Sequence, residues 1–156
     1  MANASEPDQG LGRMGSVLVA DADLFFSVKV ADTLRRAGYT VKASRTLEAL
    51  EETLRVSPPD LICISLAERG MNWQRGIEAA RTANVPVLAY GAHVDSESHA
   101  LARTLGATSV VAHSKLNADL PALVQKTLRR AELRRVAREA TENTGATMPV
   151  RDRNQE

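Results

Sequence analysis

Over residues 16–23 the chain reads Ser-Val-Leu-Val-Ala-Asp-Ala-Asp. An apolar run with no polar interruption suits a strand buried on both faces, and the acidic residues that follow mark its carboxyl end. Strands of that kind belong to parallel sheets covered by helices, and such sheets place their chemistry at the carboxyl edge. The pattern recurs as Asp-Leu-Ile-Cys-Ile-Ser over 60–65 and Val-Pro-Val-Leu-Ala-Tyr over 85–90, with shorter strands predicted at 39–43 and 109–112.

Helical spacing fills the intervals. Asp23 caps a predicted helix carrying Phe26, Val30, Leu34 and Ala37, which Gly38 closes. Leu47, Leu50 and Leu54 mark a second helix, ended by Ser57-Pro58-Pro59. A third is predicted over 73–83, after a loop that contains Gly70. A fourth runs from the cap Asp95 to Leu105, and a long last one starts near Asn117 and Ala118. The alternation specifies an α/β, doubly wound, five-stranded parallel sheet with an extended carboxyl-terminal helix.

The chain divides into a polar tail expected to be disordered (1–15, with Met14 a candidate start), a globular domain (16–131), a helical extension (132–142) and a second disordered tail (143–156). With 44% hydrophobic but only 3% aromatic residues, aliphatic packing dominates. The single cysteine, Cys63, sits in an apolar run and fits a reducing compartment. No apolar stretch reaches the roughly 18 residues of a membrane span and no signal-peptide pattern opens the chain, so a cytoplasmic protein is expected. A net charge of +1 decides nothing about nucleic acid, so the placement of the charges must.

The order and spacing of these segments resemble the receiver domain of two-component response regulators. The resemblance is carried by Val17 to Asp23, by Leu34-Arg35-Arg36-Ala37-Gly38-Tyr39-Thr40-Val41, by Pro59 to Ile64, by Gly76-Ile77-Glu78, by Val85 to Ala89 and by Leu105-Gly106-Ala107. It covers residues from about Val17 to Leu128 and implies a flavodoxin-like (βα)5 topology.

Receiver chemistry uses an aspartate nucleophile, an acidic pair that holds magnesium, a Thr or Ser hydroxyl, and a lysine that neutralises the phosphoryl group. Of the acidic pair Asp21 remains, whereas the second position is Ala22. The phosphoacceptor position is Ser65, the hydroxyl position Gly91, and the lysine position His113, followed by Ser114 and Lys115. The aromatic that switches rotamer in many receivers is here Val110. Asp23 is expected to point away from the pocket, and matching Gly76 to the family's glycine needs about three extra residues in the loop spanning 68–75.

The resemblance therefore implies a degenerate pseudo-receiver: a signal-transduction protein, not an enzyme, acting by protein contact without phosphorylation, with no cofactor and at most weak magnesium binding at Asp21. The alternative is a small-ligand or metal-binding domain reusing the edge around Asp21, Ser65, Gly91 and His113. Ser65, His113 and Asp21 do not form a hydrolase triad, because no Gly-x-Ser-x-Gly elbow holds the serine. His93, His113 and Asp21 lack a tight metal spacing. A cobalamin site lacks its histidine and glycine at 21–26, and a dinucleotide fold lacks a glycine between Ser16 and Arg36.

Trp73, beside the altered loop, is read as a partly buried cover for its helix or else as an exposed contact for a partner, and the arginines of the last helix are the other candidate partner contacts. Phe26 fits the core and Phe25 the margin near the pocket. In the last helix Leu120, Leu123, Val124, Thr127, Leu128 and Ala131 form the stripe that packs on the sheet, but its continuation meets Arg134, Arg135 and Arg138. Buried unpaired guanidinium groups are too costly, so the helix is expected to leave the domain near Ala131. Beyond that point Leu133, Val136, Ala137 and Ala140 form a narrow stripe ringed by Arg129, Arg130, Arg134 and Glu139. The segment is read either as a solvated helical overhang that frays before Gly145 or as a docking segment, whose expected partner is another signalling protein or a second copy of the chain. Nucleic acid is the weaker reading because no recognition-helix motif accompanies the charge.

Overall fold

The computed structural model describes residues 14–155, with side chains described through Asn143. Strands β1 (Ser16–Ala20), β2 (Thr40–Ser44), β3 (Leu61–Ser65), β4 (Val87–Gly91) and β5 (Ser109–Ala112) form one sheet in the order β2-β1-β3-β4-β5, every pair parallel. They alternate with α1 (Leu24–Arg36), α2 (Leu47–Val56), α3 (Trp73–Thr82), α4 (Ser96–Leu105) and α5 (His113–Gln155). This is the flavodoxin-like arrangement, whose strand order reverses between β1 and β3 and opens a crevice at their carboxyl ends.

Each strand divides its side chains between two cores, as the period of two requires. Leu18, Ile62, Ile64 and Val87 face Leu50, Trp73, Ile77 and Ala102, so α2, α3 and α4 cover one face. Val17, Val19, Cys63 and Leu88 face Val30, Leu34, Leu116 and Val124, so α1 and α5 cover the other. The register pairs Ala20 with Ile64, Ser65 with Tyr90 and Gly91 with Ala112, which brings the carboxyl ends of four strands level.

Caps fix where the helices begin: Phe26 N–H donates to Asp23 Oδ1 (3.1 Å), Ala49 N–H to Thr46 Oγ1 (3.1 Å), Arg75 N–H to Asn72 Oδ1 (3.2 Å) and Ser98 N–H to Asp95 Oδ1 (3.1 Å). Each such cap stabilises by about 1 kcal/mol.

Several boundaries differ from the sequence reading. Strand β4 begins at Val87 because Pro86 has no N–H to donate; its carbonyl instead accepts from Ile62 N–H (3.0 Å). Gly91 closes β4 and does not belong to the following loop. Helix α5 starts at His113, earlier than residues 117–118, and is broken at Asp119 (φ −133°, ψ 36°), just ahead of Pro121. Proline removes a helical hydrogen bond and crowds the preceding turn, which accounts for the break.

Among the described side chains of α5 the last one half-buried against the domain is Ala131; Glu132 to Asn143 are exposed. The helix continues to Gln155, past residue 142 where a disordered tail is predicted. Arg135 bridges Glu132 (2.5 Å) and Glu139 (2.7 Å), i,i+3 and i,i+4 pairs that support helix beyond the domain. The tail predicted over 1–15 lies outside the described residues, apart from Met14 and Gly15. Among the described residues no helix is long and apolar enough to cross a membrane.

Candidate functional site

Asp21 follows β1 directly, and its side chain turns inward: the residue is 4% exposed. Its N–H donates to the Ser44 carbonyl (3.1 Å), tying the start of the loop to β2. Its carboxylate is engaged at both oxygens. Tyr90 O–H, from β4, donates to Oδ2 at 2.7 Å, and Asp23 N–H donates to Oδ1 at 2.9 Å. Burial, followed by the neighbouring Asp21 charge, pushes the Tyr90 hydroxyl well above its ordinary value, so Tyr90 stays the protonated donor. A buried carboxylate needs such donors, because stranding one in a low-dielectric interior costs several kcal/mol.

Above Asp21 lies a cleft of about 310 Å³ lined by Asp21, Ala22, Asp23, Ser65, Arg69 and Gly70, among others. The Ser65 Oγ accepts from Ala67 N–H (3.2 Å), a local turn that orders the loop leaving β3. That loop returns over the second acidic position. Gly70 has φ +98°, and a Cβ added there would lie 2.5 Å from the Ala22 Cβ. The glycine and the alanine thus accommodate each other, and the loop occupies the room in which a longer side chain at position 22 would extend.

The other two site positions have left the cleft. A Cβ on Gly91 would meet Leu66 at 3.1 and 3.3 Å and His99 Nε2 at 3.5 Å, so the buried Leu66 fills the space of the expected hydroxyl. His113 turns toward α1 and stacks on Phe26, with ring centroids 4.1 Å apart, while Tyr90 meets it edge-on at 5.7 Å. Phe26 and Tyr90 complete the trio at 5.5 Å. The set Asp21, Ser65, Gly91 and His113 therefore does not line one pocket: Asp21 and Ser65 line the cleft, Gly91 and His113 do not. Among the described residues no three His, Cys, Asp or Glu side chains are grouped to hold a metal ion. Val110 is partly buried against the α2, α3 and α4 core.

The structure decides between the two readings of Trp73 and corrects the one of Phe25. Trp73 is 3% exposed and belongs to the core with Met71 and Ile77, so it offers no surface to a partner. Its place at the first residue of α3 points it at the sheet. Phe25 is 88% exposed and does not pack at the pocket margin, because Phe26, next to it, takes the inward direction on α1. Asp23 both caps α1 and lines the cleft.

The arginines separate. Arg130 donates to the Thr108 carbonyl (3.2 Å) and to Ser109 Oγ (3.1 Å), which makes it a clamp on the start of β5. Arg135 is taken by Glu132 and Glu139. Arg129, Arg134 and Arg138 are exposed.

Tyr90 is the residue the sequence reading missed. Its signal was a hydroxyl inside a run that reads as fully buried, since a buried phenol finds a polar partner. Arg69 and Leu66 have no comparable signal, because their roles come from the path of the loop.

No protein-family model matches the chain, and no curated protein matches it in sequence. Its fold matches solved structures. NtrX from Brucella abortus superposes with a TM-score of 0.72 at 16% identity over 81% of this chain and 29% of that one, so the chain spans under a third of NtrX. The receiver domain of the Francisella response regulator 1452 superposes at 0.66 with 17% identity, over 74% of this chain and 98% of that one. A fusion carrying the trimeric coiled coil of yeast Spc42, amino acids 181–211, superposes at 0.69 with 26% identity, over 86% and 97%. The chain thus has the fold of response-regulator receiver domains, with the carboxyl-terminal helix added.

Proposed function

We propose that this chain is a receiver-like signalling domain of the pseudo-receiver type, cytoplasmic and not an enzyme, which acts through protein contacts and without phosphoryl transfer. One observation carries the reading: the carboxylate that survives at the site, Asp21, is spent on Tyr90 O–H and Asp23 N–H. Its former acidic neighbour is Ala22 under the Gly70 loop, and the phosphoacceptor position is Ser65. A serine hydroxyl cannot form the acyl phosphate that a carboxylate forms, and one engaged carboxylate is a poor seat for magnesium, which demands near-octahedral oxygen ligation. The ligand-binding alternative is weakened by the same geometry, because Gly91 and His113 do not face the cleft.

The contact surface is supported at α5. The Spc42 fusion is matched over 97% of its chain. Among the described helices the part of α5 after its break at Asp119, running to Gln155, is the one long enough to lie on its coiled-coil segment, since α1 has 13 residues.

The test is intact mass after incubation with acetyl phosphate and magnesium. An unchanged mass is the expected result. A labile phosphoryl adduct on Asp21 or Asp60 would overturn the reading.

A further inference from the structure

We infer that the part of α5 beyond the domain pairs in parallel with the same segment of a second copy of this chain. This names the partner in the reading above and rests on it only for the idea that the chain works by contact. Leu133 is 63% exposed and Val136 49% exposed, and Ala137 beside them is exposed too. At about 100° per residue these side chains, with Ala140, form one stripe roughly 100° wide. The side chains that hold the helix to the domain, Val124, Thr127, Leu128 and Ala131, project on the opposite side, roughly 180° around the axis from that stripe. The domain therefore stands behind the helix and leaves the stripe open to another molecule.

What covers the stripe is indicated by the charges along its edges. Glu132 and Glu139 flank one edge; Arg134 and, further round, Arg138 flank the other. Two copies related by a two-fold axis parallel to the helices place the basic edge of each beside the acidic edge of its mate. An antiparallel pair places acid beside acid and base beside base. Opposite charges at the margins of a seam set orientation in helix pairs, and like charges oppose it. A single helix face thus carries both halves of a complementary match, which a second copy satisfies without any further partner. The existing Arg135 bridges are exposed and weak, so they do not prevent the exchange.

The stripe is short and far smaller than a standard interface, so the association is weak and concentration-dependent. Sedimentation velocity on the full chain should show a mass that rises above one chain with concentration. Leu133→Glu with Val136→Glu should hold the protein at one chain throughout, with thermal unfolding unchanged because both side chains are exposed. Orientation is read by oxidation of Leu133→Cys and, separately, Ala140→Cys. A parallel pair cross-links each variant to its own copy, whereas an antiparallel pair permits at most one of the two. The wild-type chain is the control, since Cys63 is buried. A single-chain mass at every concentration, association that survives the double glutamate variant, or cross-linking of only one cysteine variant would overturn the proposal. None of these outcomes depends on the phosphoryl result, so the two ideas fail separately.

Discussion

Replacing Tyr90 with phenylalanine removes one oxygen and little else. The ring is fully buried and keeps its place beside Phe26 and His113, so apolar burial barely changes. What is lost is the 2.7 Å bond to Asp21 Oδ2, leaving a buried carboxylate oxygen without that donor. A hydrogen bond to a charged group contributes about 1.5–3 kcal/mol, and the loss should approach the upper end because water has little access to replace it. For a domain of this size the midpoint of thermal unfolding should fall by roughly 5–15 °C. Tyr39→Phe is the matched control. Tyr39 is also buried, but its hydroxyl has no hydrogen-bond partner among the described residues. Removing an unpartnered polar atom should cost nothing or stabilise by up to about 1 kcal/mol. Urea unfolding of the two variants, with unchanged m-values, measures the difference. If both lose the same amount, the effect is generic to buried tyrosines and the Asp21–Tyr90 bond is not what holds the site.

Alkaline pH should destabilise the fold. Burial pushes the Cys63 thiol from 9.0 up to about 12, and it raises the hydroxyls of Tyr90 and Tyr39 as well. The unfolded chain therefore loses these protons first: stability is full below about pH 9 and falls as pH rises, by up to ~1.4 kcal/mol per pH unit for each group. Cys63→Ala, whatever its cavity costs at neutral pH, should flatten the part of that slope between pH 9 and 12 in urea titrations, and an unchanged slope would contradict the assignment. Gly70→Ala should cost roughly 1–3 kcal/mol from its left-handed backbone, with more from the Ala22 contact. Adding Ala22→Gly should recover only the contact part. Gly91→Thr should cost about 1–3 kcal/mol by crowding Leu66, and a double-mutant cycle with Leu66→Ala should show the two coupled, not additive.

The strands and caps were legible because they are local. The uninterrupted run ending at Ala20 and the carboxylate of Asp23 three residues before Phe26 carry their structural meaning within one turn of chain. The site was legible as positions: Asp21, Ala22 and Ser65 do stand at one edge. Its interactions were not legible, because they join residues far apart in sequence. Tyr90 reaches Asp21 across 69 residues, and the fit of Gly70 on Ala22 depends on how a loop folds back. Apolar character alone also failed to separate Phe25 from Phe26, since only the phase of α1 against the sheet decides which one is buried.

Backbone amide spectra recorded with and without beryllofluoride and magnesium test the central claim most directly, since beryllofluoride coordinates an acceptor carboxylate as a phosphoryl mimic without any phosphoryl transfer. On the proposed reading, with Asp21 held by Tyr90, Ser65 at the acceptor position and Gly91 closed by Leu66, no conformational switch is expected. The account predicts spectra that superpose at Asp21, Ser65 and Gly91 and across the face made by α4, β5 and α5. Saturable shifts at the cleft that spread to that face would contradict it.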